Sequence, residues 1–111
     1  MDTLNSWREI VEKVLISYVD ISYANGKIEN ELILDRTNDH YLVMSLGWQH
    51  VRRIHGCLIH IDIIEGMVWI QRDGTEDGIA IELEEEGIPK NCIVLGFHEP
   101  DVRRHTGYAV A

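Results

Sequence analysis

The chain has 111 residues, 45% apolar and 26% charged, with a net charge of −9 and a pI near 5.0. That composition suits one globular domain with a core and excludes a disordered chain. Its acidity opposes tight direct binding to phosphate backbones, and no apolar run reaches the ~20 residues needed to span a bilayer.

Leu4, Trp7, Val11, Val14, Leu15 and Tyr18 recur at helical spacing, with Arg8, Glu9, Glu12 and Lys13 turned away, which predicts an N-terminal amphipathic helix. Asp2 or Thr3 can cap its start, and it should fade near Ile21, before the Asn25-Gly26 turn signal. From Lys27 the period becomes two. ELILDRT (Glu31–Thr37) reads as a strand, Asn38-Asp39 as a turn and HYLVMSLGW (His40–Trp48) as the next strand. A third strand runs from about Val51 to Ile64, with Gly56 as the candidate bulge. Glu65-Gly66 is a tight hairpin turn into a fourth strand, Met67–Arg72. Asp73-Gly74 closes that strand, and a short helix follows over about Asp77–Glu86, capped by Gly87 and stopped by Pro89. CIVLGF (Cys92–Phe97) reads as a buried strand, and the last fourteen residues show no clear period. The order α-β-β-β-β-α-β describes a single α+β domain over residues 1–111, in which an antiparallel sheet of about five strands carries both helices on one face.

Strict alternation along His55–Ile64 turns Cys57, Ile59, Ile61 and Ile63 inward and His60 and Asp62 outward. Across a two-residue turn Asp62 then faces Trp69 and His60 faces Gln71, a polar-aromatic patch of His60, Asp62, Trp69 and Gln71. A histidine beside a carboxylate is how a general base is oriented, but opposite charges on a solvated sheet face look the same. The patch therefore reads first as a surface for solvent or a partner, and a small enzyme using His60 with Asp62 is the weaker reading. The histidines do not converge by spacing. His55 and His60 are an odd number apart, His50 and His60 would lie ~33 Å apart along one strand, and there is no HxH, HxxxH or CxxC pair. No metal or cofactor is expected on that basis. Asp73 to Glu84 nearly fits a calcium loop, yet Thr75 stands at its third position, Ile81 at its ninth, and a strand enters it. A turn followed by a helix capped by Thr75 or Asp77 accounts for the same residues. There is no GxSxG or Gly-rich phosphate loop. MDTLNSWREI lacks a signal-peptide pattern, which with the missing apolar span suggests the cytoplasm, and there Cys57 and Cys92, both in apolar runs, read as buried thiols.

VRRIHG (Val51–Gly56) and VRRHTG (Val102–Gly107) echo each other. With Arg72, the pairs Arg52-Arg53 and Arg103-Arg104 could hold phosphate if the tail packs beside the third and fourth strands, or could meet an acidic protein surface. This is the alternative reading, a weak nucleic-acid-binding module.

HGCLIHIDI (His55–Ile63), VWIQRDGTE (Val68–Glu76), GIPKNCIVLGFHEPDVRRHT (Gly87–Thr106), the closing AVA, the opening MDTL and Gly47-Trp48 together resemble the XisI family, the fdxN-element excision controlling factors of cyanobacteria. The resemblance spans essentially the whole chain. It implies a role in programmed DNA rearrangement, in which a separate serine recombinase cuts and joins while the XisI protein acts with XisH. The family has no established catalytic residues to carry over. The chain departs from the family pattern at Ile81, where a polar residue is usual, and at Gly107-Tyr108, which replaces an acidic-aromatic pair. The expectation is thus a cytoplasmic, non-enzymatic accessory protein that meets an XisH-like partner, and through it the recombination machinery. The candidate contact residues are His60, Asp62, Trp69, Gln71, Arg72, Arg103 and Arg104, and exposed tryptophan candidates on an open sheet face favour a homodimer or higher homo-oligomer.

Overall fold

A stripe of Val11, Val14 and Leu15 on one side of helix α1 (Thr3–Val19) is buried, as its spacing dictates. The structure, a computed structural model, describes residues 3–19 and 27–110; the Asp2 cap, the fade near Ile21 and the Asn25-Gly26 turn lie outside them. The stripe covers a sheet of β1 (Lys27–Asp35), β2 (His40–Gln49), β3 (Arg52–Ile64), β4 (Met67–Asp73) and β5 (Ile93–Leu95), which lie side by side in chain order. Beside α1 sits α2 (Ile79–Glu85), whose Ile79 and Leu83 are fully buried. Tyr41, Val43, Ile59, Ile61, Val68, Ile70 and Ile93 complete the core from the sheet. Among the described residues, no helix is long and apolar enough to cross a membrane.

The α+β class and the element order match the sequence expectation, with three differences. The first four strands form an antiparallel meander, but β5 pairs parallel to β4, not antiparallel. The physical reason is α2: a helical connection can return the chain to the same end of the sheet, where a hairpin cannot. A further short helix, α3 (Pro100–Arg103), lies in the tail. The element limits also move. β1 starts at Lys27 and stops at Asp35, whose Oδ1 accepts from the N–H groups of Thr37 (3.0 Å) and Asn38 (3.1 Å) and so bends the chain early.

Local chemistry explains the sharp joints. Glu65 (φ 51°) and Gly66 (φ 78°) are both left-handed, the pair that a two-residue hairpin between Ile64 and Met67 requires. Neither Thr75 nor Asp77 caps α2. Gly78 occupies the cap position without a side chain, and Asp73 takes over the work: its Oδ2 accepts from the N–H of Ile79 at 2.9 Å and its Oδ1 from that of Thr75 at 3.0 Å. Both oxygens of the first residue of the calcium-like stretch thus serve the chain's own backbone. At the other end the N–H of Gly87 bonds to Glu84 (3.0 Å) and that of Ile88 to Leu83 (3.1 Å), a Schellman closure around the expected glycine. At Gly47 a Cβ would lie 1.9 Å from the carbonyl oxygen of Lys27, so β1 and β2 can approach there only without a side chain.

Two ion pairs tie α1 to the β1–β2 turn, Glu12 with Arg36 and, more buried, Arg8 with Asp39. Arg8 Nε and Nη2 donate to Asp39 Oδ1 (2.8 Å) and Oδ2 (3.1 Å), and the buried Tyr41 hydroxyl adds a bond of 2.8 Å. The Arg8 hydrogen bonds hold the Asp39 carboxyl below its usual range, and burial raises the Tyr41 phenol and keeps it neutral. A depressed carboxyl pKa contributes stability that is present above the unfolded value of ~3.9 and is lost as pH falls through the folded value. Asp39→Asn should therefore cost about 1–3 kcal/mol at neutral pH in urea unfolding, and its deficit against the parent should shrink below about pH 4. An unchanged deficit in acid would contradict this account of the clamp.

Candidate functional site

Two extra residues in the ladder decide which side chains share the sheet face turned away from α1 and α2. The β2–β3 pairing runs Val43 with Ile59 and then Met44 with Cys57, leaving Leu58 as the inserted residue. The β3–β4 pairing runs His60 with Arg72 and then Ile61 with Ile70, leaving Gln71 inserted. Each is a β-bulge, which reverses the alternation beyond it. The bulge expected at Gly56 therefore falls at Leu58. Cys57 pairs with Met44 and His55 with Leu46, so both belong to the same face as His60. This overturns the inward placement of Cys57 and the placement of His55 and His60 on opposite sides.

The consequence is a convergence that spacing did not reveal. The ladder sets Asp62 beside His40 on one side and Trp69 on the other. Asp62 is 8% exposed, and its Oδ1 lies 2.7 Å from His40 Nδ1 and 2.8 Å from His60 Nε2. Gln71 Nε2 donates to Oδ2 at 3.4 Å. An ionised carboxylate only accepts, so the two ring nitrogens that face it carry protons. The hydrogen bond to Asp62, followed by its charge, raises the pKa of His40. The two imidazoles stand edge to face at 6.4 Å between centroids. His40 went unnoticed in the sequence because a regular hairpin through His50 and Val51 would set it against Ile61; only the extra Leu58 moves it to Asp62.

Of the residues read as a contact surface, His60, Asp62, Trp69 and Gln71 do come together, joined by His40. Arg72, and not Gln71 as alternation predicted, pairs with His60 in the ladder, because Gln71 is the inserted residue. Arg103 is a lid on Trp69: its guanidinium lies 5.1 Å from the ring centroid and donates to the carbonyls of His98 (3.0 Å) and Gly96 (3.4 Å). Gly96 permits this closeness, since a Cβ there would meet Gln71 Oε1 at 2.7 Å and Trp69 Cε3 at 3.1 Å. Arg104 is turned to Asp101 on the surface (2.9 Å). Arg53 stacks on Trp48, 5.4 Å from its ring. It sits about eight ladder positions from Asp62, roughly 26 Å at strand rise, so the two arginine pairs do not form one basic patch.

The aperiodic tail is ordered by single contacts. Ala109 N–H bonds to the Ile93 carbonyl (2.9 Å) and Tyr108 donates to Glu84 (2.6 Å), its phenol pushed up to about 12 chiefly by burial. Both cysteines are free thiols and half-buried, and burial raises the Cys57 thiol, which disfavours a thiolate. On the same sheet face Ile33, Trp48 and Ile64 are 43%, 50% and 43% exposed, with Leu42 and Met44 half-buried and the exposed Glu29 and Glu31 of β1 alongside.

These features define a small α+β domain with helices on one sheet face and a polar knot within an open apolar surface on the other. The chain belongs to the XisI protein family, which matches it over residues 1–110. A XisI-like protein from Anabaena variabilis is 41% identical and superposes with a TM-score of 0.86, over 97% of this chain and 99% of that one. The fdxN element excision controlling factor XisI from Anabaena variabilis is 32% identical, with a TM-score of 0.84 over 99% and 100%. None of the curated proteins matches.

Removing the negative charge that both histidines bond to should weaken the fold. Asp62→Asn is expected to cost about 1–3 kcal/mol, because a nearly buried position would lose its charge-assisted bonds. Denaturant unfolding checks this, and a loss below about 0.5 kcal/mol would mean the knot is not formed in solution.

Proposed function

We propose that this chain is a non-enzymatic accessory protein that controls excision of a DNA element together with an XisH-type partner, while a separate recombinase breaks and joins the DNA. Membership of the XisI family supports this, and a relative 32% identical over the whole chain is named an excision controlling factor. The observation that carries the reading is the open sheet face. Large apolar side chains at Ile33, Trp48 and Ile64, with Arg53 stacked on Trp48, form the aromatic, aliphatic and arginine mixture from which protein interfaces are built. A net charge of −9 disfavours docking on DNA and suits a basic, DNA-handling protein. The partner would cover the strip from β1 to β3 and reach the edge of the His40–His60–Asp62 knot. Arg103 already roofs Trp69, so the tail would frame the interface. The work is placed in the cytoplasm, beside the DNA.

The test is co-purification with the XisH-type protein. Trp48→Glu should weaken the complex by about thirtyfold or more, the loss expected of a central tryptophan anchor. Ile16→Glu, at an exposed position on α1 away from this face, should leave it intact. Failure of two folded proteins to associate would contradict the proposal. A dimer of this chain alone that Trp48→Glu breaks would assign the strip to self-association instead.

A further inference from the structure

We propose that His40, His60 and Asp62 form a binding site for a transition-metal dication of the zinc class. Ligand atoms, one each from His40, His60 and Asp62, lie within 4.8 Å of one another, brought there by two adjacent strands. Ligand atoms on a tetrahedral ion, at about 2.1 Å from it, stand about 3.4 Å apart. The two nitrogens are 2.7 and 2.8 Å from Asp62 Oδ1, so an ion could enter if the rings withdrew by little more than half an ångström. His40 lies at the start of β2 with its ring half exposed, which leaves it room to do so.

Donor chemistry narrows the ion. Two imidazoles and one carboxylate suit zinc, cobalt, nickel or copper, whereas magnesium and calcium prefer all-oxygen shells. Three protein ligands leave a fourth position, open towards solvent because His40 is on the exposed side. Gln71, displaced by its own bulge, reaches the other Asp62 oxygen and fixes the carboxylate. Without an ion the trio keeps its protons and bonds internally. On binding, each ring presents a lone pair from the nitrogen that now donates to Asp62, and a neutral ring moves its proton to its other nitrogen.

The experiment uses the full-length chain, freed of any affinity tag and stripped with chelator, titrated with zinc by calorimetry and with cobalt by visible absorption. One equivalent should bind, with the intense d–d bands of a four-coordinate cobalt ion, and zinc should raise the melting temperature. His40→Gln and His60→Gln should each abolish the bands and the melting shift. Gln71→Leu should weaken binding by about ten- to a hundredfold, the usual effect of an outer-shell loss. His55→Gln, at an exposed position on the same face, should change nothing. His40 is half exposed, so its variant should fold, and circular dichroism confirms that. No stoichiometric binding by the folded parent, or undiminished binding by His40→Gln, would overturn the proposal.

Discussion

A carboxylate almost sealed inside a sheet must be given hydrogen-bond donors, and this constraint organises the face of the molecule turned away from its helices. Asp62 finds its donors on three strands: His40 from β2, His60 from its own strand, and Gln71 from β4. His60 shares its face by simple alternation, but His40 would not face it in a regular ladder. Leu58 inserted in β3 brings His40 into line, and the insertion at Gln71 brings the amide within reach. The strand pairing is therefore adjusted by one residue on each side of a single buried charge.

The same adjustment separates the two faces by chemistry. Towards α1 and α2 the sheet is aliphatic and closed, with Val43, Ile59, Ile61, Val68 and Ile70 fully buried. On the other face the polar knot is flanked by the Arg103 lid and by an uncovered strip around Trp48. Such a surface carries an uncovered apolar strip and a cluster of two imidazoles on one carboxylate. Arg8 and Asp39 hold the β1–β2 turn against α1, and His40 follows that turn directly, so the clamp also fixes one imidazole of the knot.

Much of this architecture was readable from the residues because it follows from strong local rules. The stripe of Val11, Val14 and Leu15 gave α1, the Glu65-Gly66 pair gave a hairpin with φ > 0 at both positions, and Gly87 with Pro89 gave the end of α2. The pairing of Asp62 with Trp69 also follows by counting from that hairpin. What resisted reading was one-residue slippage. Gly56 has the look of a bulge, yet the ladder inserts Leu58 and Gln71, residue types that carry no bulge signal, and each insertion inverts the side-chain pattern beyond it. β5 is three residues long, too short for its direction to show in a pattern. The tail lacks a period because isolated contacts order it, such as Arg103 to two carbonyls and Tyr108 to Glu84.

Asp62 gathers two imidazoles onto one oxygen, and the protonation state of those rings reports on that contact. Long-range nitrogen-15 NMR of the histidine rings, recorded on metal-free protein above the histidine titration range, reports which nitrogen carries the proton. The account predicts His40 in its Nδ1–H form and His60 in its Nε2–H form, both preferences fading in Asp62→Asn. His40 in the Nε2–H form usual for a free imidazole, with a spectrum indifferent to Asp62→Asn, would contradict it.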